Sequence, residues 1–460
     1  MKIRNLFGTG EFYKSALKIA LPIMLQQLIQ SLVSLIDNFM VSGLGDVSMS
    51  GVNVAGQVLF IFMVFTNTIC MSGGIFLTQF YGAKDKGGMQ QAFMFKVILG
   101  FLALIPYFLV TVVFPRQVLS LMVIGNTQAS QILDEGVKYI RIMFHVGIPM
   151  TISACIASSL RDMGRVKLPL VVTIIATLTN TVFNYLLIYG NFGFPALGVE
   201  GAAYATVIAR SSEFIIFAVV YFKIKPEYAV TIKSHFKLDG KLFWNIIKKG
   251  SLMLFCEMVW VLSETLTTAI YNGRGGADVV SGMASSFAIA NLYFVAFGGI
   301  YSATSVIIGK TLGEGNLEEA KIKKNWLLSG SLLFGCFMTV FGLGTSLLVP
   351  VVFGRLSASA IGICRRMVIM MSFFMPAWIY MNAQQAVARA GGDTKMGAYS
   401  DASITIAIML PMLLLLGKYT AIGPVMMYFC VKLLDFVKIV IFHFWMKKER
   451  WLNNLTVNEN

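Results

Sequence analysis

The chain is short of charge. Only 13% of its 460 residues are Asp, Glu, Lys or Arg, about half the roughly 25% of a soluble domain. No long polar segment is left over to form a water-facing domain, so a soluble multidomain enzyme is excluded. Apolar residues make up 57% of the chain, and apolar stretches of about 18 residues or more recur from end to end. Each is long enough to cross a hydrocarbon core of about 30 Å. Such unbroken runs do not read as the alternating strands of a barrel. The fold class expected is an all-α integral membrane protein.

Reactive and metal-ligating residues are equally sparse. The six cysteines, Cys70, Cys155, Cys256, Cys336, Cys364 and Cys430, are scattered through apolar runs with no C-x-x-C pair, which points to packing rather than disulfides or ligands. The three histidines, His145, His235 and His443, stand far apart, so no histidine metal site is expected. "GKT" at 309–311 resembles the end of a phosphate-binding loop, but the pattern needs glycine at 304, where Thr304 stands. ATP-driven work by this chain alone is therefore not expected. No H-E-x-x-H, G-x-S-x-G or repeated D-D-x-x-D is found. A membrane-embedded lipid-modifying enzyme stays a remote alternative, without the clustered acids or histidines it would need. The basic, then apolar, start "MKIRNLFGTGEFYKSALKIALP" continues past Pro22 without a small-residue cleavage site and reads as a retained first span.

What is present is a series of twelve spans, at about 15–41, 52–79, 92–114, 137–160, 168–189, 201–222, 250–272, 282–309, 326–350, 366–388, 397–416 and 424–446. The net charge of +15 is concentrated in alternate loops: Lys84 and Lys86; Arg161, Arg165 and Lys167; Lys223 to Lys249; Lys310 to Lys324; Arg389 and Lys395. Lys2, Arg4, Lys447, Lys448 and Arg450 share that side. By the positive-inside rule, both termini lie in the cytoplasm. The charge is thus a topology signal that also favours anionic lipid headgroups, and nucleic acid is not an expected partner.

The chain also repeats. "SSLRDMGRVKLP" (158–169) matches "AVARAGGDTKMG" (386–397), "GDVSMSG" (45–51) matches "GADVVSG" (276–282), and "YGAKDKGGMQQA" resembles "LGEGNLEEA". Each match is weak alone, but their shared order and near-constant offset indicate duplication. The division expected is an N-terminal six-helix lobe (1–222), a cytoplasmic linker (223–249), a C-terminal six-helix lobe (250–446) and a cytoplasmic tail (447–460). Two pseudo-symmetric lobes in parallel repeat leave a central cleft between them, the architecture of an alternating-access transporter.

Ionisable groups inside a bilayer cost at least about 2.5 kcal/mol on insertion scales, so those retained usually face an interior or mark an ion path. Asp37 lies within "SLVSLIDNFMVSGLGD" with no cation one helical turn away. Asn180 and Asn184 are four residues apart, hence on one helical face, and Thr206 enters the next span at a matching depth. A carboxylate beside amide and hydroxyl oxygens can bind a proton or a small hard cation. The other reading of the three polar residues is interhelical hydrogen bonding. In the second half, Glu257 and Glu264 can share one helix face, Glu257 nearer the midplane. Lys432, Asp435 and Lys438 are spaced for pairing within one helix, as are Arg210 and Glu213. Asp401 has no obvious partner. Pro22, Pro106, Pro149, Pro376 and Pro411 lie within apolar runs as bending points. The 27 Met and 36 Phe offer soft surfaces suited to varied apolar or cationic ligands, or to lipid.

Together "LPIMLQQLIQSLVSLIDNFMVSGLGD", "QFYGAKD", "LRDMGRVKLP", "NTVFNYLLIYGNFGFPALGVEGAAYAT" and "RAGGDTK" resemble the multidrug and toxic compound extrusion (MATE) family of bacterial type over nearly the whole chain. The resemblance implies a multidrug antiporter, not an enzyme, in the plasma membrane of a prokaryote. It implies export of small organic, often cationic, compounds in exchange for H+ or Na+, with no other cofactor. A monomer among membrane lipids is expected. Carried over by position, Asp37 is the N-lobe coupling acid, with Asn180 and Thr206 as neighbours in a proton or Na+ site. Asn184 stands where some members have a second acid. Glu257 stands at the C-lobe acid of another branch, and Trp378 where that branch has a partner carboxylate. Glu257, Glu264 and Gln26 are candidates for the substrate cavity, and Pro22 for the hinge. The family's relatedness to flippases makes a lipid or lipid-linked oligosaccharide flippase the alternative.

Overall fold

The computed structural model describes residues 6–123, 128–230 and 238–457. Lys2, Arg4, Lys233, His235 and Lys237, and parts of the expected linker and tail, lie outside the described residues. Eleven helices among them are long and apolar enough to cross a membrane. They are α1 (Gly10–Ser42), α2 (Asp46–Gly82), α3 (Lys86–Val113), α4 (Ala129–Asp162), α5 (Lys167–Tyr189), α6 (Val199–Ile224), α7 (Gly240–Asn272), α8 (Ala277–Gly313), α9 (Leu317–Ser346), α10 (Ala358–Ala390) and α11 (Gly397–Tyr419). The twelfth, α12, is interrupted: Pro424–Lys432 and Leu434–Met446 follow one another across Leu433. All twelve expected spans fall on helices. Most helices run past the apolar stretch, because the backbone keeps its hydrogen bonds beyond the point where side chains turn polar.

Local chemistry sets several ends and breaks. Asp85 caps α3, its carboxylate accepting the Gly88 N–H at 3.0 Å, and Ser357 caps α10 through the Ala360 N–H. Gly190 ends α5 in the left-handed region at φ +72°. Arg274 donates to the carbonyls of Thr420 and Gly417 at 2.6 Å and to that of Leu416, closing the end of α11. A proline lacks the N–H that closes an α-turn, and three interior prolines adjoin non-α turns. Pro106 precedes a π-turn at Leu109–Val113, Pro149 follows a 3-10 turn at Phe144–Val146, and Pro411 follows a π-turn at Thr405–Met409. Pro22 and Pro376 lie inside helices that continue without a break.

The chain divides into two compact units. One comprises Leu25–Leu77 and Asp85–Trp244, the other Met1–Met24, Thr78–Lys84 and Asn245–Asn460. The first residues of α1 and the last of α2 are exceptions to a simple division after Trp244: they belong to the C-terminal unit. Packing explains both exceptions. Ala20 and Met24 lie against Gly299 of α8. Gln79 of α2 donates to the Ala390 carbonyl at 2.8 Å and accepts the Leu455 N–H at 2.7 Å.

The core of the N-terminal unit joins α1, α2, α4, α5 and α6 through Met40, Ala55, Ile140, Ile188 and Ala203. Small residues let its helices approach closely; at Gly201 of α6 any side chain would collide with the Leu187 carbonyl of α5. In the C-terminal unit, α10 is the central element, its Met367, Met371, Met375 and Ile379 fully buried among α8, α9 and α12. After α6 the chain folds back so that Tyr228, also fully buried, donates to the Ile156 carbonyl and packs on Phe93.

Candidate functional site

The Gly201–Leu187 approach fixes the register of α5 against α6. The two helices are antiparallel neighbours, so moving along α6 from Gly201 to Thr206 matches moving back along α5 toward Asn180. The Asn180 and Thr206 side chains accordingly meet, 3.4 Å apart. Asn184, one turn from Asn180, donates from Nδ2 to Asp37 Oδ1 at 2.6 Å. Asp37, Asn180, Asn184 and Thr206, spread over three helices, thus form one cluster.

Asn180 donates from its amide nitrogen to both Asp37 oxygens at 2.9 Å. The Asn184 Oδ1 is buried with no donor, a further oxygen that a cation would satisfy.

The cluster carries an unbalanced charge. Among the described residues, no Lys, Arg or His nitrogen comes within 4.0 Å of Asp37; Arg210, the cation whose field it feels, is spent on Glu213 at 2.7 Å, the pairing read from the sequence. A residue the sequence reading missed is Tyr139 of α4, buried beside Thr206. Its signal was present: Ile132, Leu133, Gly136, Tyr139, Ile140 and Met143 form the buried stripe of an amphipathic helix, and Tyr139 is the one polar tip on that stripe. Lys96 was also missed. Fully buried on α3, it pairs with Asp162 at 2.6 Å and donates to Ser158 and Ser159.

The remaining candidates do not join this cluster. Gln26, expected at the substrate cavity, is 7% exposed and donates to Thr173 of α5 at 2.8 Å, a buried tie between the two helices. Glu257 lies in the C-terminal unit, 3.3 Å from Arg389. Glu264 is paired with Lys432 at 3.4 Å. That pairing corrects the expectation of a wholly intrahelical Lys432–Asp435–Lys438 set: only Lys438 and Asp435 pair within α12, at 3.6 Å, since Lys432 points to α7. Asp401, read as partnerless, has Lys438 at 2.8 Å and Gln385 at 3.2 Å, because π-turns in α11 bring it to α12. Trp378, at the position of another branch's carboxylate, donates its indole N–H to Asp435 at 2.8 Å. The six cysteines are free, with Cys336 exposed. Pro22 sits two residues before the Met24/Leu25 boundary of the units.

Twelve apolar helices among the described residues, in two related halves, with an acid in one of them bonded by amides and outside every ion pair found there, define a multi-pass membrane transporter. The chain belongs to the MatE family, whose model matches residues 22–186 and 253–415, once in each half. A probable multidrug resistance protein NorM of Thermotoga maritima is 26% identical over 338 residues, 70% of this chain and 68% of that one. A probable multidrug resistance protein NorM of Oceanobacillus iheyensis is 24% identical over 430 residues, 88% and 90% of the two chains. The fold is shared with a crystal structure of MATE in the bent conformation, at TM-score 0.85, 17% identity and 96% coverage of each chain.

Proposed function

We propose that the protein is a secondary multidrug exporter that exchanges small organic, often cationic, compounds for H+ or Na+ across a prokaryotic plasma membrane. The relatives' designation as multidrug resistance proteins supports the substrate class. The observation that carries the coupling role is Asp37: an acid within a spanning helix, hydrogen-bonded by Asn184 and outside every ion pair among the described residues.

In this reading, Asp37 accepts a proton, or Na+ with Asn180 and Thr206, on the outer side. Neutralising the acid changes its hydrogen bonding, which favours bending of α1 near Pro22 and release of the compound. Facing the cytoplasm, the site sheds the ion and reloads. Ion and cationic compound each stabilise the state the other does not, which is the source of coupling.

The test is dye efflux in everted vesicles with proton and sodium gradients imposed separately. Exchange predicts gradient-dependent transport that a protonophore or sodium removal abolishes, and its loss in Asp37→Asn. Full gradient-driven efflux in Asp37→Asn would overturn the reading. Movement of labelled lipid without dye transport would favour a flippase instead.

A further inference from the structure

The last helix ends in three cations that no acid among the described residues pairs. Lys447, Lys448 and Arg450 follow closely on Met446, the final residue of α12, and all three are exposed. Lysines at the end of α8 and the start of α9 differ: Lys310 is paired with Glu314 at 3.8 Å and Lys323 with Glu319 at 2.8 Å. Even Glu449, which lies among the three in sequence, is drawn away to Lys321 of α9 at 3.0 Å.

In place of acids, the three cations have aromatic rings. The Lys447 Nζ is 5.2 Å from the ring centroid of Phe444. The Lys448 Nζ and the Arg450 guanidinium are 6.0 and 5.4 Å from that of Trp445. A ring face holds a cation without removing its charge, so each remains available to an outside anion. Two like charges over one ring also repel each other, a cost that a bound anion offsets. The arrangement is fixed from both sides. Trp445 donates its indole N–H to buried Asp393 at 2.8 Å. The N–H groups of Lys448 and Glu449 close on the carbonyls of Trp445 and Met446, and buried Trp451 anchors the next turn by donating to the Met446 carbonyl.

What precedes the cations identifies the anion. Val437, Val440, Ile441 and Phe444 are exposed apolar side chains of α12. Their spacings of three and four residues put them on one helix face, and Lys447 and Lys448 continue the same spacing from Phe444. Phe444 and Trp445 are of the type that sits at a membrane–water boundary. An apolar stripe running into a group of cations matches an acyl chain joined to a phosphate, whereas a free phosphate would leave the stripe unused. We propose that the end of α12 is a binding site for an anionic glycerophospholipid. Lys447, Lys448 and Arg450 hold its phosphodiester group, and an acyl chain lies along Val437, Val440, Ile441 and Phe444. The site lies apart from Asp37, and its occupancy does not depend on the exporter reading.

The experiment is native mass spectrometry of the full-length protein in detergent, titrated with phosphatidylglycerol or phosphatidylcholine and counting bound lipids. The wild type should hold one phosphatidylglycerol more tightly than any phosphatidylcholine. The triple variant Lys447→Gln, Lys448→Gln, Arg450→Gln should weaken that binding on the order of a hundredfold, at about fivefold per cation. Because all three side chains are exposed, the variant should fold. The double variant Lys310→Gln, Lys323→Gln, which removes cations already paired, should leave the binding unchanged. Equal affinity for the two lipids, equal binding by the wild type and the triple variant, an equal loss per charge in the double variant, or displacement of the lipid by an equal concentration of inorganic phosphate would each overturn the proposal.

Discussion

Asp37 and Asn184, separated by 147 residues, meet in a single hydrogen bond of 2.6 Å from an amide to a carboxylate. The bond ties α1 to α5, and its strength depends on the charge of the acid. A hydrogen bond to a charged group contributes about 1.5–3 kcal/mol. Asn184→Ala should therefore weaken ion-driven efflux by roughly tenfold or more while leaving the fold intact. Transport rates normalised to the amount of folded protein in vesicles check this.

Asn184→Asp should act in the opposite sense. It places a second carboxylate against Asp37, and two acids sharing a site hold a cation more firmly than one. Thermal unfolding with and without sodium should show sodium stabilisation in this variant that exceeds the wild type's and vanishes when Asp37→Asn is added.

The Lys96–Asp162 pair should be asymmetric. Removing the acid strands a fully buried ammonium, at a cost of about 3–5 kcal/mol, whereas the side chain of Asp162 is 22% exposed and retains some water when Lys96 is removed. Asp162→Ala should thus lower the unfolding temperature more than Lys96→Met, and the double variant should recover part of the loss. Fluorescence-detected unfolding of the three variants in one detergent tests the order.

Gly391 and Gly313 meet backbone rather than side chains: a methyl group at Gly391 would overlap the Trp451 carbonyl, and one at Gly313 the Gln79 carbonyl. Backbone cannot rotate away as a side chain can. Gly391→Ala and Gly313→Ala should both reduce the yield of monodisperse protein, whereas Gly344→Ala, with open space around it, should not. Size-exclusion profiles after extraction decide.

The residues after α12 should contribute stability. Trp451 is 2% exposed, lies under Lys324, and leads to Leu455, whose N–H Gln79 accepts. Trp451→Ala should cost about 3–5 kcal/mol as a cavity, and Gln79→Ala should expose the Leu455 amide to faster hydrogen exchange. If that amide exchanges at the wild-type rate in Gln79→Ala, the tie is not holding the tail.

Much of this fold is legible without coordinates, because hydropathy acts locally: a stretch of apolar residues in a membrane must satisfy its backbone within itself, and helices follow. The spans, the duplication and the face shared by Asn180 and Asn184 are all of this kind. Asp37 was likewise visible, since an acid without a cation one turn away is a property of its own helix. Tyr139 was hidden among packing residues, and Lys96 meets its partner Asp162 on another helix. The partners of Asp401 and Lys432 were not predictable from spacing, because each lies on another helix.

By itself, then, the sequence determined a twelve-helix membrane protein in two related halves and the identity of the acids within it. Which acids are neutralised was decided only by the tertiary structure. Glu257, Glu264 and Asp401 each meet a cation from a distant segment, at 3.3, 3.4 and 2.8 Å, and among the described residues Asp37 meets only amides. Helical periodicity operates over a few residues, whereas these ion pairs bring together side chains 37 to 168 residues apart, and the charge left over is known only once every such pair has been formed.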